Sequence, residues 1–318
     1  MSSVPRLLVM GLPEVGKTTF LAALWHVTES EEIPSALCLS RISESAKHLN
    51  TITNDWLQYR PMNRTVPEQE EYSSLWLKEK DGREIGEVVF SDLSGETFRD
   101  QWKNREWSSA YASLVGDASA ILLFLHPDQV KEPFTITEIQ KLTEAAFPEA
   151  TPETKPAEAE GEVIVPSRNQ VAVGSDQRLG SKEVEKGSGE AWDIESVPTQ
   201  VKMVGLLQFV QPYLSLKPTR LAIIVSAWDK ILAVDSQADP QTWVSRRLPY
   251  LAQYISSNPE CFENRVYGVS AQGGDLKADL GRLQDCRNAS ERVLIAGPDC
   301  QPHDITEPIR WALSSSST

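Results

Sequence analysis

Short apolar runs, separated by longer polar or amphipathic segments, recur along this chain. Six of them have the length of a strand: Arg6–Met10, Leu75–Glu79, Ile85–Phe90, Ala120–Leu125, Leu221–Val225 and Arg265–Val269. Runs of about five apolar residues without strict alternation are typical of strands that are buried on both faces. The pattern therefore predicts a six-stranded, mostly parallel sheet.

The segments between these runs have the periodicity of helices. Ile42–Tyr59 places Leu49, Ile52, Trp56 and Leu57 on one face. Further helices are predicted over Thr18–Trp25, Val201–Leu214, Gln241–Ile255 and Thr306–Leu313. Alternating strands and helices predict a Rossmann-like α/β fold with helices on both faces of the sheet and a ligand at the carboxyl ends of the strands.

One long segment, residues 149–198, breaks the pattern. Glu149 to Glu195 contains eleven acidic and five basic residues and few large apolar ones, which gives it −6 of the net charge of −14. Such a composition buries too little apolar surface to offset its chain entropy. We expect a disordered acidic insert within a single domain that spans residues 1–318. A tolerated loop extension and a docking segment for a partner are both open readings.

The segment Gly11–Thr18 reads GLPEVGKT and fits the phosphate-binding pattern G-x-x-x-x-G-K-[ST]. It lies between an apolar run and a helix-like segment. The glycines let the backbone curl so that successive N–H groups point at phosphates, the lysine reaches the β- and γ-phosphates, and the threonine hydroxyl ligates Mg²⁺. The motif predicts binding of a nucleoside triphosphate. The expected contacts are Gly11, Glu14, Val15, Gly16, Lys17, Thr18 and Thr19.

A second motif, D-x-x-G, closes the run Gly86–Phe90 at Asp92 and Gly95. In GTPases the aspartate holds Mg²⁺ through water and the glycine N–H meets the γ-phosphate, so the following loop distinguishes GTP from GDP. The motif is weak by itself, because Asp and Gly are common at the ends of strands. Its position after the phosphate-binding loop favours the GTPase interpretation.

A third motif, Ser226-Ala227-Trp228-Asp229, ends the run Leu221–Val225, where GTPases carry N-K-x-D or T-K-x-D. A carboxylate at Asp229 accepts both N1–H and N2–H of guanine, a pair that adenine does not offer. With Ala227 in place of lysine, Trp228 or Lys230 is left to cover the base. The alternative is an aspartate that only caps the next helix. Ser270 and Ala271 follow the last strand and resemble the loop whose backbone N–H touches guanine O6.

Hydrolysis depends on residues between these motifs. Thr65 is our choice for the threonine that closes over Mg²⁺ and the γ-phosphate, and a loop threonine without a ligand is the alternative. Glu96 stands where Ras-like enzymes often carry the glutamine that orients the attacking water. A carboxylate there adds negative charge and predicts slow hydrolysis, unless Glu96 only begins a helix. Arg64 is the first candidate for neutralising charge in the transition state, and Arg99 and Arg105 are weaker ones.

Taken together, these residues resemble a known family. The segments GLPEVGKTTFLAALWHV, NRT and VVFSDLSGETFRDQW are similar to those of the bacterial double-GTPase proteins of type one. The resemblance implies a Ras-like P-loop GTPase that binds GTP or GDP with Mg²⁺, through Thr18, Thr65 and Asp92. It also implies a second GTPase as partner, within multi-gene conflict or signalling systems.

Charge and cysteine content exclude other classes of function. A net charge of −14 argues against nucleic acid, and no apolar run is long enough to span a membrane. Four widely spaced cysteines without a C-x-x-C pair indicate neither disulfides nor zinc. We expect a cytoplasmic protein with a partner GTPase or effector. A non-hydrolysing GTP-bound scaffold and, less favoured, an ATP-using P-loop protein are the alternatives.

Overall fold

The strands predicted from the apolar runs all occur in the computed structural model, and they form the centre of a larger sheet. The structure describes residues 4–41, 46–62, 72–91, 102, 104, 106–107, 109–133 and 196–314. Arg64, Thr65, Asp92, Gly95, Glu96, Arg99 and Arg105 lie outside these ranges. The predicted insert also lies outside them, except for its last three residues, of which Val197 is buried. No helix in the described ranges is long and apolar enough to cross a membrane.

The described strands form one mixed sheet in the order β2-β3-β4-β1-β5-β6-β7-β8. Strands β4, β1, β5, β6 and β7 are parallel, whereas β3, β2 and β8 run antiparallel to their neighbours. The bounds are β1 Arg6–Gly11, β2 Leu37–Arg41, β3 Tyr72–Glu79, β4 Glu84–Ser91, β5 Ala120–Leu125, β6 Thr219–Ser226, β7 Phe262–Ser270 and β8 Leu294–Ala296.

The prediction of six strands was therefore two strands short. Both missed strands, β2 and β8, are at the edges of the sheet. Only Leu37 of β2 is buried, and β8 is three residues long. An edge strand has few buried positions, and a three-residue strand has no period to detect, so pairing with β3 and β7 decides that these segments are strands.

Helices cover both faces of the sheet, as the alternating pattern predicted. Their bounds are α1 Lys17–Ser30, α2 Ala46–Leu57, α3 Ser109–Asp117, α4 Thr199–Val210, α5 Trp228–Val234, α6 Pro240–Arg247, α7 Pro249–Ser256, α8 Leu280–Gln284 and α9 Glu307–Leu313. The single helix expected over Gln241–Ile255 is two helices. Pro249 lacks an N–H and has a fixed φ, so it ends one helix and begins the next.

The core consists of two layers, one on each side of the sheet. Successive residues of β1 alternate between them: Leu7 and Val9 pack with α1, α2 and α9, while Leu8 and Met10 pack with α3, α4, α6 and α7. Strands that bury both faces need apolar residues at every position, which explains why they were visible as unbroken apolar runs. The two layers hold the carboxyl ends of the parallel strands at one edge of the domain.

Candidate functional site

The phosphate-binding loop connects the buried strand β1 to helix α1. Glu14 and Gly16 have φ values of 60° and 87°, in the left-handed region, so the backbone curls between the strand and the helix. Val15 is buried and anchors the middle of the loop. Successive N–H groups around left-handed residues form a concave site for anions, and the N-terminus of α1 adds partial positive charge.

Lys17 is the first residue of α1 and reaches back across the loop. Its Nζ donates hydrogen bonds to the backbone oxygens of Gly11 and Leu12, at 3.0 and 2.9 Å. These bonds hold the ammonium group over the curled backbone, which is where the β- and γ-phosphates of a nucleotide would lie. Thr18 follows in the first turn of the helix and is partly exposed.

The loop lies directly beside the end of β6. A Cβ on Gly16 would come within 3.4 Å of the Cβ of Ser226, the first residue of the S-A-W-D motif. The hydroxyl of Ser226 donates to the backbone oxygen of Leu125 at 2.9 Å, which ties β6 to β5. The tertiary structure thus brings together motifs that are about two hundred residues apart in sequence.

A cavity of about 390 Å³ opens at this edge of the sheet. Its walls come from the start of α1, the ends of β5, β6 and β7, and the loops that follow these strands. Five of the lining residues were predicted from the sequence as contacts of the nucleotide, Gly16, Thr19, Asp229, Ser270 and Ala271, and Lys230 was a candidate to cover the base. Other lining residues were not predicted, notably His126, Gln272, Leu276 and Lys277. The volume suits a small organic ligand such as a nucleotide base with its ribose.

Asp229 lies in the first turn of α5 and lines the cavity. The residue at the N-cap is Ala227, in the left-handed conformation with φ 46° and ψ 43°, and no side chain caps the helix. Asp229 is therefore not the capping residue that the alternative interpretation required.

Trp228 was one of the two residues expected to cover the base, but its side chain lies in the core. It is fully buried and does not line the cavity. The indole packs against Gly268 of β7 so closely that a Cβ on this glycine would lie 2.1 Å from Trp228 Cδ2. Because Gly268 has no side chain, there is room for the indole in the core. Lys230, the other residue considered for this role, does line the cavity.

The Ser270–Ala271 loop is held by side chains from two directions. Ser270 Oγ accepts a hydrogen bond from the backbone N–H of Gly273 at 3.0 Å. The buried Trp56 of α2 donates its indole N–H to the backbone oxygen of Ala271 at 3.0 Å. Arg292, also buried, stacks over the Trp56 ring with its Cζ 4.0 Å from the centroid.

Charged and titratable groups lie beside the cavity, in the segment after β5 and at the start of α5. Lys230 pairs with Asp128, and the hydrogen bond from its ammonium lowers the pKa of the Asp128 carboxyl. Burial lowers the pKa of His126, and its Nδ1 accepts a hydrogen bond from the Asp128 backbone N–H at 3.2 Å. That bond requires a neutral acceptor nitrogen, so geometry and pKa agree on an uncharged imidazole at neutral pH.

His126 and Gln272 were missed for different reasons. His126 is the first residue after β5, so the rule that ligands bind at the carboxyl ends of parallel strands pointed to its position. Gln272 directly follows Ala271, yet nothing in a lone glutamine signals a ligand. The predicted Mg²⁺ ligands Thr65 and Asp92, the predicted catalytic residues Arg64 and Glu96, and Gly95 are outside the described residues.

The curled loop before α1 and the cavity beside it, at the carboxyl ends of a mainly parallel sheet, define a P-loop nucleotide-binding protein. The model of the Double-GTPase 1 family matches residues 8–312, which is nearly the whole length. The chain belongs to that family and is a GTP-binding protein of the P-loop GTPase class.

Two solved structures illustrate how distant its structural neighbours are. The bacterial selenocysteine-specific elongation factor EF-Sec is 10% identical, with a TM-score of 0.36 over 91% of this chain and 30% of that one. The S. cerevisiae Ski7 GTPase-like domain, bound to GTP, is 12% identical, with a TM-score of 0.37 over 85% of this chain and 43% of that one. The chain thus spans less than half the length of either. No curated protein matches the chain.

Proposed function

We propose that this protein is a nucleotide-dependent switch that binds GTP with Mg²⁺, hydrolyses it slowly and is stimulated by a partner. The observation that carries the proposal is the position of Asp229. Asp229 lines the same cavity as Gly16 and Thr19 of the phosphate-binding segment. A single nucleotide could therefore place its base at Asp229 and its phosphates on the loop before α1.

The phosphate end of the site rests on Lys17 and the curled backbone. Because Lys17 Nζ already bridges two loop carbonyls, a bound phosphate would meet a positioned ammonium group. Thr18 would supply a hydroxyl oxygen to Mg²⁺, which prefers hard oxygen ligands and keeps several waters. Thr65 and Asp92 are the other ligands that we propose for this ion.

The base end of the site rests on Asp229 and the backbone of Ala271. The Asp229 carboxylate would accept N1–H and N2–H of guanine, and the Ala271 N–H would donate to O6. Adenine presents an acceptor at N1, so it would face the carboxylate with an unpaired lone pair. Hydrogen bonds to charged groups contribute about 1.5–3 kcal/mol each, which is enough for discrimination of tenfold or more.

Slow hydrolysis follows from Glu96 in the place of a water-orienting glutamine. Negative charge builds up on the phosphate oxygens in the transition state and has to be neutralised. A carboxylate beside the triphosphate adds negative charge and so opposes this neutralisation. We propose Arg64 as the residue that offsets this charge. The partner would be a second GTPase or an effector protein, in the cytoplasm, within a bacterial conflict or signalling system.

Binding of fluorescent GTP and ATP analogues with Mg²⁺, to the wild type and to Asp229→Ala, tests guanine selection. We expect the wild type to prefer GTP and Asp229→Ala to lose most of that preference. Asp235→Ala removes an exposed carboxylate at the other end of α5 and is the matched control. Equal binding of both nucleotides by the wild type would refute guanine selection.

A single-turnover measurement of phosphate release, alone and with candidate GTPase partners, tests the switch. Slow release that a partner accelerates supports the proposal. Stable GTP binding without release under either condition would instead identify a GTP-bound scaffold.

A further inference from the structure

Gln272 is one of the residues that line the cavity, and it is next in sequence to Ala271. Its Nε2 is buried and has no hydrogen-bond partner among the described residues. Leaving a buried donor unpaired is unfavourable, since the group loses its bonds to water and gains none in return. A donor left unpaired in the wall of a ligand cavity indicates an acceptor on the ligand.

Several other polar side chains of this wall already have partners inside the protein. Three examples are Ser226, which donates to Leu125, Ser270, which accepts from Gly273, and Lys230, which pairs with Asp128. Each of these groups already makes one bond inside the protein, which uses part of its hydrogen-bonding capacity. The amide nitrogen of Gln272 makes no such bond among the described residues.

The backbone on both sides of Gln272 is fixed. Before it, the oxygen of Ala271 is held by Trp56. After it, Gly273 has a φ of 84°, donates its N–H to Ser270 and accepts a bond from Arg282 Nη2 at 2.7 Å. A Cβ on Gly273 would lie 2.0 Å from the backbone oxygen of Arg292, so the chain packs tightly there. The side chain of Gln272 therefore starts from a preorganised position, which reduces the entropy lost on binding.

We propose that Gln272 is a second base-reading residue, whose amide N–H donates to the acceptor edge of guanine formed by O6 and N7. This inference rests on the proposed binding of GTP in this cavity. There the Ala271 N–H meets O6, and the next residue in the chain borders the same edge. Asp229 reads the donor edge, N1–H and N2–H, while Gln272 reads the acceptor edge. The two side chains are complementary in kind, an acceptor for donors and a donor for acceptors.

The proposed role of Gln272 also accounts for the way in which the S-A-W-D motif differs from the motif of other GTPases. Ser226 stands where GTPases carry Asn or Thr, and its hydroxyl is committed to Leu125. Gln272 supplies a donor from the neighbouring loop instead. Specificity then depends on β7 and its loop as well as on β6.

Analogues that alter one edge at a time test the inference. In 6-thio-GTP the acceptor at position 6 is weaker, in 7-deaza-GTP the N7 acceptor is absent, and in ITP the N2 donor is absent. We expect the wild type to bind GTP about tenfold more tightly than 6-thio-GTP, 7-deaza-GTP or both. A tenfold difference in affinity is typical when one hydrogen bond is lost and its donor stays unpaired. Gln272→Leu, of similar volume, should bind GTP about tenfold more weakly and lose that discrimination. Its discrimination against ITP, which reports on Asp229, should remain.

The controls separate binding from folding. Gln253→Ala removes an exposed glutamine of α7 and should leave every affinity unchanged. Because the unpaired amide costs free energy in the nucleotide-free protein, Gln272→Leu should unfold without nucleotide at the same temperature as wild type or higher. Gln272→Met is a second apolar variant for the same comparison.

The possible outcomes distinguish the two proposals. If the wild type does not prefer GTP to ATP, the proposed function itself fails. If the wild type selects GTP but Gln272→Leu and Gln272→Met discriminate against both acceptor-edge analogues as the wild type does, the role of Gln272 is refuted. Loss of ITP discrimination together with the acceptor-edge discrimination would also refute it, because the variant would then have disturbed the whole site.

Discussion

Substituting Gly268→Ala should both destabilise the domain and weaken selection of GTP. The added Cβ would lie 2.1 Å from Cδ2 and 2.5 Å from Cγ and Cε2 of Trp228. Nonbonded carbon atoms settle at about 3.5–4.0 Å, so the indole would have to move by roughly 1.5 Å. Trp228 is fully buried, and a packed interior offers no free space for that movement.

The magnitude follows from the cost of overpacking. Extra methyl groups in a packed core cost about 1–3 kcal/mol, which for a domain of this size lowers the Tm by about 2–12 °C. Trp228 is followed directly by Asp229, so movement of the indole also displaces the carboxylate. A hydrogen bond weakens strongly when a donor–acceptor distance of about 2.9 Å grows by 1 Å. We therefore expect weaker GTP binding and a smaller ratio of GTP to ATP affinity.

Thermal unfolding without nucleotide and titration with both nucleotides measure these two effects in the same samples. Gly281→Ala is the matched control, because a Cβ there meets no atom within 4 Å. Gly281 lies in helix α8, where alanine is favoured over glycine by about 0.5–1 kcal/mol. Its variant should be as stable as wild type or slightly more so, with unchanged affinity.

A Gly268→Ala variant with the Tm and nucleotide preference of wild type would refute this reasoning. The double variant Gly268→Ala/Trp228→Leu provides a second check. Removing the indole costs about 3–5 kcal/mol by itself but also removes the clash. The double variant should therefore lose less stability than the two single variants lose in sum, whereas strict additivity would show that the residues do not meet.

Two further predictions concern Trp56 and His126. Trp56→Phe keeps an aromatic ring but leaves the backbone oxygen of Ala271 without its donor. We expect the free energy of unfolding, measured with denaturant, to fall by about 1–3 kcal/mol, and GTP to bind more weakly. Unchanged GTP affinity would show that this bond does not position the loop. Burial lowers the pKa of His126 in the folded protein below the pKa of about 6.5 that a histidine has in the unfolded chain. As the pH falls, the unfolded chain therefore takes up a proton first, and the free energy of unfolding declines. His126→Gln should lose stability less steeply than wild type between pH 7.5 and 5.5, and identical pH dependence would contradict this.

Part of the site was predictable because it depends on consecutive residues. Gly11 and Gly16 permit the curl of the phosphate-binding loop, and Lys17 reaches back over the same few residues. The apolar runs predicted the six central strands. Strands β1, β5 and β6 are buried on both faces, which requires apolar side chains almost throughout, whereas β3 buries only alternate residues. The motif at Asp229 was found by its place after such a strand.

Edge strands and the direction of single side chains were not predictable in this way. Strand β8 exists because β7 offers it a hydrogen-bonding partner, and its three residues carry no period of their own. Trp228 was expected at the base, and it lies in the core because Gly268 on the next strand leaves room for an indole. A motif does not encode the absence of a side chain on a neighbouring strand.

The sequence by itself determined the phosphate-binding loop and the α/β alternation, because both depend on local spacing, and its resemblance to known proteins predicted the family. Only the tertiary structure decided which side chains surround the base. His126, Asp229 and Gln272 follow three different strands, and they meet because parallel pairing aligns the carboxyl ends of β5, β6 and β7. That alignment is a property of the whole sheet.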